Sequence, residues 1–292
     1  MTLKWALAQS YKFLWIIIYW FVILSSAHAD TIQANQTLRL GVLPDNDSQI
    51  IKQRLSPLLH YIEKQTGLTI ELIIPKDYEN LLDLFHDKSI DLALFGGGTF
   101  IKAQQKSQAE ALVMRDIDLE FNTVFLTQAN NSKQNITDFK DAQFSFGPKL
   151  STSGHIMPRY FLINQNITPE TFFNGVRYTN SHNITIDLVR NGQVDLGAVN
   201  SKTVKNMLRN GHLKENEIRI VWETPAYTNY VWATQPDFNE TLRDRLLDSF
   251  LNLSLQNDAH REILTALDAN SFLPANNEDF EALRQAEKVM VP

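Results

Sequence analysis

Residues 38–74, LRLGVLPDNDSQIIKQRLSPLLHYIEKQTGLTIELII, contain the pattern from which the fold follows. The apolar run Leu38–Leu43 is typical of a short buried strand. Asp47 or Ser48 can cap the helix that comes next, whose apolar residues recur at helical spacing until a glycine ends it. Thr69–Ile74 then has the composition of a second strand. The stretch therefore predicts a strand–helix–strand unit.

The same alternation of strands and helices continues along the chain and predicts an α/β fold with parallel sheets covered on both faces. Two such blocks are divided near residues 128–138 and again near 223–228, so we expect two lobes joined by two crossovers. The first lobe is predicted to comprise residues 30–128 and 225–292, and the second residues 129–224. Ligands of such sheets bind beyond the carboxyl ends of the strands, which here means a cleft between the lobes.

Composition excludes several classes of protein. The 292 residues are 43% hydrophobic and 21% charged, which is ordinary for a globular chain. The net charge is -6, whereas nucleic-acid-binding proteins usually have an excess of basic residues, so no nucleic-acid partner is expected. The absence of cysteine excludes disulfides, thiolate zinc sites and the lipid-attachment cysteine of a lipoprotein.

The N-terminus has the three parts of a secretory signal peptide. Lys4 and Lys12 precede the apolar run Phe13–Leu24, which is shorter than the roughly 20 residues that span a bilayer. Small residues follow and end in an A-x-A site. We therefore predict a signal peptide over residues 1–29, cleavage after Ala29 and a periplasmic protein. The alternative is an uncleaved anchor, since the run contains aromatic residues suited to a membrane interface.

The first of three unusual loops is FGGGTF at residues 95–100, directly after a predicted strand. A glycine run lets the backbone approach a ligand and direct its amides toward it. Thr99 is expected to cap the next helix and to offer a hydroxyl group. The alternative is a tight strand–helix turn without a ligand. The loop is not a phosphate-binding Walker A motif, because the Gly-Lys-Ser/Thr ending is missing.

The second loop is GPKLSTSGH at residues 147–155, where Ser151, Thr152 and Ser153 stand at the start of a predicted helix. Helix N-termini have free N–H groups and partial positive charge, and so bind anions readily. The alternative is capping by a single serine.

The third loop, TNSH at residues 179–182, places His182 at another helix start, although a surface histidine is the plainer interpretation.

Signatures of catalysis are missing. The sequence has no G-x-S-x-G elbow and no H-E-x-x-H motif, and its seven histidines show no zinc spacing. Nothing in the spacing of Ser151, His155 and His182 indicates a catalytic triad. We therefore predict a protein that is not an enzyme and needs no cofactor or metal.

Eight segments carry a resemblance to a known family. They are LRLGVLPD at 38–45, KDY at 76–78, DLALFGG at 91–97, FSFG at 144–147, STSGHIMPRYFL at 151–162, SH at 181–182, DLGAVN at 195–200 and TPAYTNYVW at 224–232. In this order they resemble the phosphate/phosphite/phosphonate family of periplasmic substrate-binding proteins of ABC transporters. The resemblance covers nearly all of the chain beyond the signal peptide.

The resemblance implies a two-lobed, type II (venus-flytrap) fold in which a small tetrahedral oxyanion sits on the helix that starts at Ser151. It implies that Tyr78 and Thr99 reach the ligand from the first lobe and His182 from the second. The expected ligand-binding set is Tyr78, Thr99, Phe100, Ser151, Thr152, Ser153, Gly154, His155, His182, Ser201 and Asn229.

Three positions depart from the family pattern. Phe100 stands where members often have a tyrosine. Ser201 and Asn229 stand where members that bind aminophosphonates look to use two carboxylates to hold the ammonium group. We therefore expect a bare or short-chain oxyanion to be preferred over 2-aminoethylphosphonate. The glycine loop and residues 114–125 are also similar to a branch whose members are named as selenate binders, so selenate or selenite is the alternative ligand.

The resemblance implies a monomer that delivers a phosphonate, phosphite or phosphate to an ABC permease and ATPase complex at the inner membrane. A sensory module for a membrane signalling partner would use the same fold and pocket. An exported enzyme is the third interpretation.

Overall fold

A computed structural model describes residues 36–290, and it confirms the predicted α/β class with two separate sheets. The predicted signal peptide lies outside the described residues. The strands are β1 (Thr37–Val42), β2 (Thr69–Ile73), β3 (Leu92–Phe95), β4 (Glu110–Arg115), β5 (Thr123–Gln128), β6 (Phe144–Phe146), β7 (Val176–Tyr178), β8 (Leu196–Asn200), β9 (Ile218–Glu223), β10 (Val231–Thr234) and β11 (Phe272–Pro274). The α-helices are α1 (Ser48–Thr66), α2 (Tyr78–His86), α3 (Gly97–Ser107), α4 (Met157–Asn164), α5 (Pro169–Phe172), α6 (His182–Arg190), α7 (Ser201–Arg209), α8 (Glu240–Leu251), α9 (Asp258–Ala266) and α10 (Glu281–Met290).

Helix α1 forms as its sequence predicts. The Asp47 carboxylate accepts a hydrogen bond from the N–H of Gln49 at 2.8 Å and caps the first turn. Gly67 ends the helix with a φ of 72°, a left-handed conformation that favours glycine. The buried face consists of residues at helical spacing, namely Ile51, Leu55, Leu58, Ile62 and Thr66.

The six-stranded sheet has the order β11-β4-β10-β3-β1-β2, and the five-stranded sheet has the order β7-β6-β8-β5-β9. We call the parts built on these sheets the first and the second lobe. The prediction of parallel sheets holds for only part of each sheet. Strands β1, β2 and β3 are parallel, as are β6, β7 and β8, but β10 runs antiparallel to β3 and β4, and β5 runs antiparallel to β8 and β9. Both strands follow a crossover between the lobes, so no crossover helix forces them to be parallel to their neighbours.

Strand β5, predicted in the first lobe, pairs instead with β8 and β9 in the second. The first crossover therefore lies between Arg115 and Thr123, ahead of the polar stretch 128–138 that suggested a boundary. That stretch is a loop within the second lobe, where Asn135 caps a short turn (Ile136–Phe139). The second crossover lies between Glu223 and Val231.

Helices cover both faces of the six-stranded sheet. Because side chains alternate along a strand, Trp232 faces the cluster under α1, α8 and α9, whereas Val231 and Ala233 face the cluster under α2, α3 and α10. Strand β11 and helix α10 complete this lobe and were not recognised from the sequence. Within residues 36–290, no helix combines the length and the apolar character that crossing a bilayer requires.

Candidate functional site

The three loops singled out in the sequence meet between the two lobes. The N–H of Gly98, in the first turn of α3, donates to the Thr152 hydroxyl oxygen at 2.9 Å. The Ser151 hydroxyl oxygen lies 3.3 Å from Nε2 of His182. Thr152 and Ser151 therefore connect the glycine loop of the first lobe to the histidine loop of the second.

The turn at Ser151 is shaped by two glycines. After β6, the N–H of Gly147 donates to the Gly154 carbonyl at 2.8 Å, and a Cβ on either glycine would lie 3.0 Å from the Cα of the other. The N–H of Ile156 donates to the Ser151 carbonyl at 3.0 Å, so the first turn is wider than an α-helical one. The opening N–H groups of a helix have no intrahelical acceptor and carry partial positive charge, so this turn suits an anion.

The hydroxyl of Ser151 is positioned as a donor. Its oxygen caps the wide turn by accepting from the N–H of Gly154 at 3.0 Å. It also faces Nε2 of His182. Since the oxygen accepts from these two N–H groups, its own proton can be donated to a third group.

His182 is a neutral donor. Its side chain is fully buried, and its Nδ1 accepts from the N–H of Asn200 at 3.3 Å. The ring proton is therefore on Nε2, which points at Ser151. Burial lowers the pKa of His182 to about 4, so the ring carries no charge at neutral pH.

Tyr78 adds a phenol from the first lobe. It is buried at the start of α2, which Asp77 caps by accepting from the N–H of Asn80 at 2.7 Å. Burial first, and then the nearby Asp45 carboxylate, raise the pKa of Tyr78, so the phenol keeps its proton and can donate.

A chain of hydrogen bonds that the sequence did not reveal continues from His182 back to the first lobe. The side-chain amide of Asn200 donates to the Tyr230 hydroxyl at 3.2 Å, and that hydroxyl donates to Oδ2 of Asp45 at 2.6 Å. Asp45 stands at the carboxyl end of β1, the place where such sheets bind ligands, and that position was the signal available in the sequence.

Thr99 lies in the glycine loop, but it does not cap α3. The N-cap is Gly96, and the buried Thr99 hydroxyl donates back to the Gly96 carbonyl at 2.8 Å. The helix begins at Gly97, so Thr99 lies within its first turn. The glycines therefore form the first turn of the helix and place its amides at the junction of the lobes.

Two of the predicted ligand-binding residues, Phe100 and His155, have no free polar group in this structure. The ring of Phe100 is fully buried in the core of the first lobe and packs edge-on against Phe280, with centroids 4.8 Å apart. His155 has both ring nitrogens engaged, with Nδ1 2.7 Å from the Lys149 carbonyl and Nε2 accepting from Nε of Arg159 at 2.9 Å. Phe100 has no polar atom to offer, and His155 has none free.

The two positions at which carboxylates are missing are buried and neutral. Oδ1 of Asn229 accepts from the N–H of Gly97 at 3.3 Å, so Asn229 serves the glycine loop. Among residues 36–290, the buried hydroxyl of Ser201 has no hydrogen-bond partner. Ser153 is buried, and its carbonyl accepts from the Thr123 hydroxyl at 2.8 Å.

Two α/β lobes with neutral hydrogen-bond donors gathered between them define a two-lobed solute-binding protein. The family model for the periplasmic substrate-binding protein of phosphonate ABC transporters matches residues 40–280. The chain belongs to this family, as its motifs predict. Members are binding components of transporters and not enzymes.

Relatives support the assignment along most of the chain. A probable ABC transporter phosphite binding protein, PhnD1, of Prochlorococcus marinus (strain MIT 9301) is 31% identical over 263 residues, which are 86% of this chain and 88% of that protein. The phosphonates-binding periplasmic protein of Escherichia coli (strain K12) is 24% identical over 238 residues, which are 79% of this chain and 69% of that protein.

A solved structure confirms the predicted two-lobed fold. PhnD1 from Prochlorococcus marinus (MIT 9301), in complex with methylphosphonate, matches with a TM-score of 0.81 at 29% identity. The match covers 87% of this chain and 98% of that chain.

Proposed function

We propose that this protein is the periplasmic binding component of an ABC importer and that it binds a small tetrahedral phosphorus oxyanion, namely a phosphonate, phosphite or phosphate. One observation carries the proposal. Donors from both lobes meet in one buried cluster, in which the Ser151 turn, His182 and Tyr78 all present neutral N–H or O–H groups. The methylphosphonate complex of PhnD1, a relative with the same fold, supports it.

Neutral donors suit a ligand that must be both held and released. Hydrogen bonds to an ionised oxygen are about twice as strong as neutral ones, so several of them can replace the hydration of the anion. The donors belong to different lobes, so a bound anion would stabilise the arrangement in which the lobes are in contact. A permease could recognise this closed arrangement of the lobes and so distinguish ligand-bound protein from free protein.

The neutral Ser201 and Asn229 disfavour a ligand that carries a positive charge. A buried ammonium group without a carboxylate partner is costly, so 2-aminoethylphosphonate should bind more weakly than methylphosphonate or phosphite. This is the preference that the sequence predicts.

Isothermal titration calorimetry on the exported protein tests the proposal. We expect binding of methylphosphonate, phosphite or phosphate, weaker binding of 2-aminoethylphosphonate, and a large loss of affinity in Ser151→Ala. Ser132→Ala, a substitution of an exposed serine in the second lobe, is the matched control. If none of the phosphorus oxyanions binds, the proposal is refuted. If only selenate or selenite binds, the protein is instead a selenate or selenite binder, which is the alternative given above.

We also propose the finer points of export, assembly and lobe boundaries. The signal peptide would be cleaved after Ala29, and the exported protein would be a monomer that meets a permease and ATPase complex. Among the described residues, the first lobe would comprise residues 36–115 and 231–290, and the second residues 123–223, since β5 pairs within the second sheet. Intact mass and light scattering of protein from the periplasm test the first two points, because a mass that still includes residues 1–29 would indicate an anchor.

A further inference from the structure

A cavity of about 90 Å³ lies beside the donor cluster, between the two lobes. Asn200 and Tyr230 line it. Asn200 also contacts the cluster, since its N–H donates to Nδ1 of His182 at 3.3 Å. Liquid water occupies roughly 30 Å³ per molecule, so the cavity has room for about three waters or for one short organic group. A ligand with its phosphorus oxyanion at the Ser151 turn can therefore extend a substituent into this cavity.

The wall of the cavity is largely apolar, with side chains such as those of Ile51, Leu94 and Phe121. A few charged side chains interrupt it, and they are Asp45, Arg54, Arg115, Lys202 and Asp268. In sites for small molecules, an apolar wall holds the ligand and a few charged groups select it. Which of these charges is available to a ligand therefore decides what the cavity can accept.

The two arginines of the cavity are already paired. Arg54 donates to Oδ2 of Asp268 at 2.8 Å, and the other oxygen of Asp268 accepts from the exposed Arg209 at 3.0 Å. Arg115 donates to both carboxylate oxygens of Asp118, each at 2.7 Å. Each of these arginines therefore has an acid that matches its charge, and Asp268 is fully engaged.

Lys202 is the cation of this cavity that has no partner within the described residues. It stands in the first turn of α7 and is half-buried, and its ammonium group makes neither an ion pair nor a hydrogen bond there. The remaining acid of the cavity, Asp45, is engaged by Tyr230, whose hydroxyl donates to it at 2.6 Å. Lys202 therefore brings an uncompensated positive charge to the wall.

The positive charge of Lys202 favours a substituent with a negative end. A ligand that fills the cavity removes water from the ammonium group, and a carboxylate can replace that water with a charge-assisted hydrogen bond. A substituent that ends in an ammonium group would be repelled. The neutral Ser201 and Asn229 point in the same direction, since neither offers a carboxylate to a cation.

We propose that this cavity is a second part of the binding site and takes the organic substituent of a short phosphonate that ends in a carboxylate. Lys202 is the specificity-determining residue that recognises the carboxylate. The inference rests on the proposed function and deepens it, because the phosphonate end of the ligand still occupies the donor cluster at Ser151.

Calorimetry at pH 7 with three phosphonates tests the proposal. Phosphonoacetate carries the carboxylate, 2-oxopropylphosphonate has the same shape without that charge, and methylphosphonate has no extension. Wild type should bind phosphonoacetate about fivefold or more tightly than 2-oxopropylphosphonate, and less so at high salt. Lys202→Ala and Lys202→Gln should each remove this preference and leave the affinity for methylphosphonate nearly unchanged.

The control is Lys205→Ala, which removes the same charge from an exposed position of α7 and should keep the preference. If wild type binds no phosphorus oxyanion, the proposed function fails. If wild type binds methylphosphonate but does not prefer phosphonoacetate to 2-oxopropylphosphonate, only the role of the cavity is refuted. A preference that persists in both Lys202 variants, or an equal loss of affinity for all three phosphonates, refutes recognition of the carboxylate by Lys202.

Discussion

Acidification should destabilise this protein through His182, and the size of the effect follows from its burial. Burial lowers the pKa of His182 from its usual 6.5 to about 4. The unfolded chain therefore takes up a proton near pH 6.5, while the folded ring stays neutral until about pH 4. Stability is fully present above the unfolded pKa and is lost as the pH falls between these two values.

The magnitude comes from linkage. One pKa unit corresponds to about 1.4 kcal/mol, so His182 should cost about 2 kcal/mol of unfolding free energy at pH 5 and about 3 kcal/mol below pH 4. Urea denaturation of wild type and His182→Gln at pH 8 and pH 5 measures the difference. Burial also lowers the pKa of His155 to about 4, but His155 is present in both proteins and cancels in the comparison.

The gap in stability between wild type and His182→Gln should shift by about 2 kcal/mol in favour of the variant between pH 8 and pH 5. An unchanged gap would mean that the folded ring accepts a proton near its ordinary pKa. His182 would then be a charged partner of the anion and not the neutral donor described above.

Three further predictions concern the junction of the lobes. Ser151→Ala removes a hydroxyl donor and the cap of the turn, and should weaken ligand binding by about 1–3 kcal/mol, or roughly 5- to 150-fold, in calorimetry. Gly98→Ala places a Cβ 2.2 Å from Cδ1 of Ile156, across the junction, so affinity should fall at least tenfold while the melting temperature of the free protein barely changes. Asp268→Asn weakens the contact that Arg209 of the second lobe makes with the first at 3.0 Å, and should raise the dissociation constant up to about fivefold at low salt and less at high salt.

Controls separate these effects from general damage. The control is Gly211→Ala at an exposed glycine, where an added Cβ would meet no atom within 4 Å but the φ of 72° favours glycine. This variant should be less stable but should keep its affinity for the ligand, whereas Gly98→Ala should lose affinity and keep its stability. Wild-type affinity in Gly98→Ala would show that the lobes need not meet at this glycine for the ligand to bind. An Asp268→Asn effect that does not depend on salt would contradict an ionic contact.

Local structure was largely determined by the sequence, because short-range chemistry controls it. Helix α1 starts after Asp47 and ends before Gly67, as predicted. A carboxylate cap and a left-handed glycine act only on neighbouring residues, so a local pattern is enough to predict them. The turn at Ser151–Gly154 and the position of His182 at a helix start follow from the same kind of pattern. The family motifs added the two-lobed arrangement that periodicity alone only suggested.

Other features depended on contacts between residues far apart in the chain. The sequence around β5 is a strand in either lobe, and only its pairing with β8 and β9 places it in the second. Likewise, His155 and His182 both stand near helix starts, yet packing occupies the ring nitrogens of the first and directs Nε2 of the second at Ser151.

The hydrogen bond between Tyr230 and Asp45 is the clearest example of a contact that depends on tertiary structure. Asp45 and Tyr230 are 185 positions apart, and only the junction of β1, β10 and the second lobe brings them within 2.6 Å. The elements that form, the loops that carry donors and the family motifs can all be predicted from the sequence, because they depend on the local order of residues. Which side chains share the buried cleft depends on long-range packing and burial that no local pattern encodes.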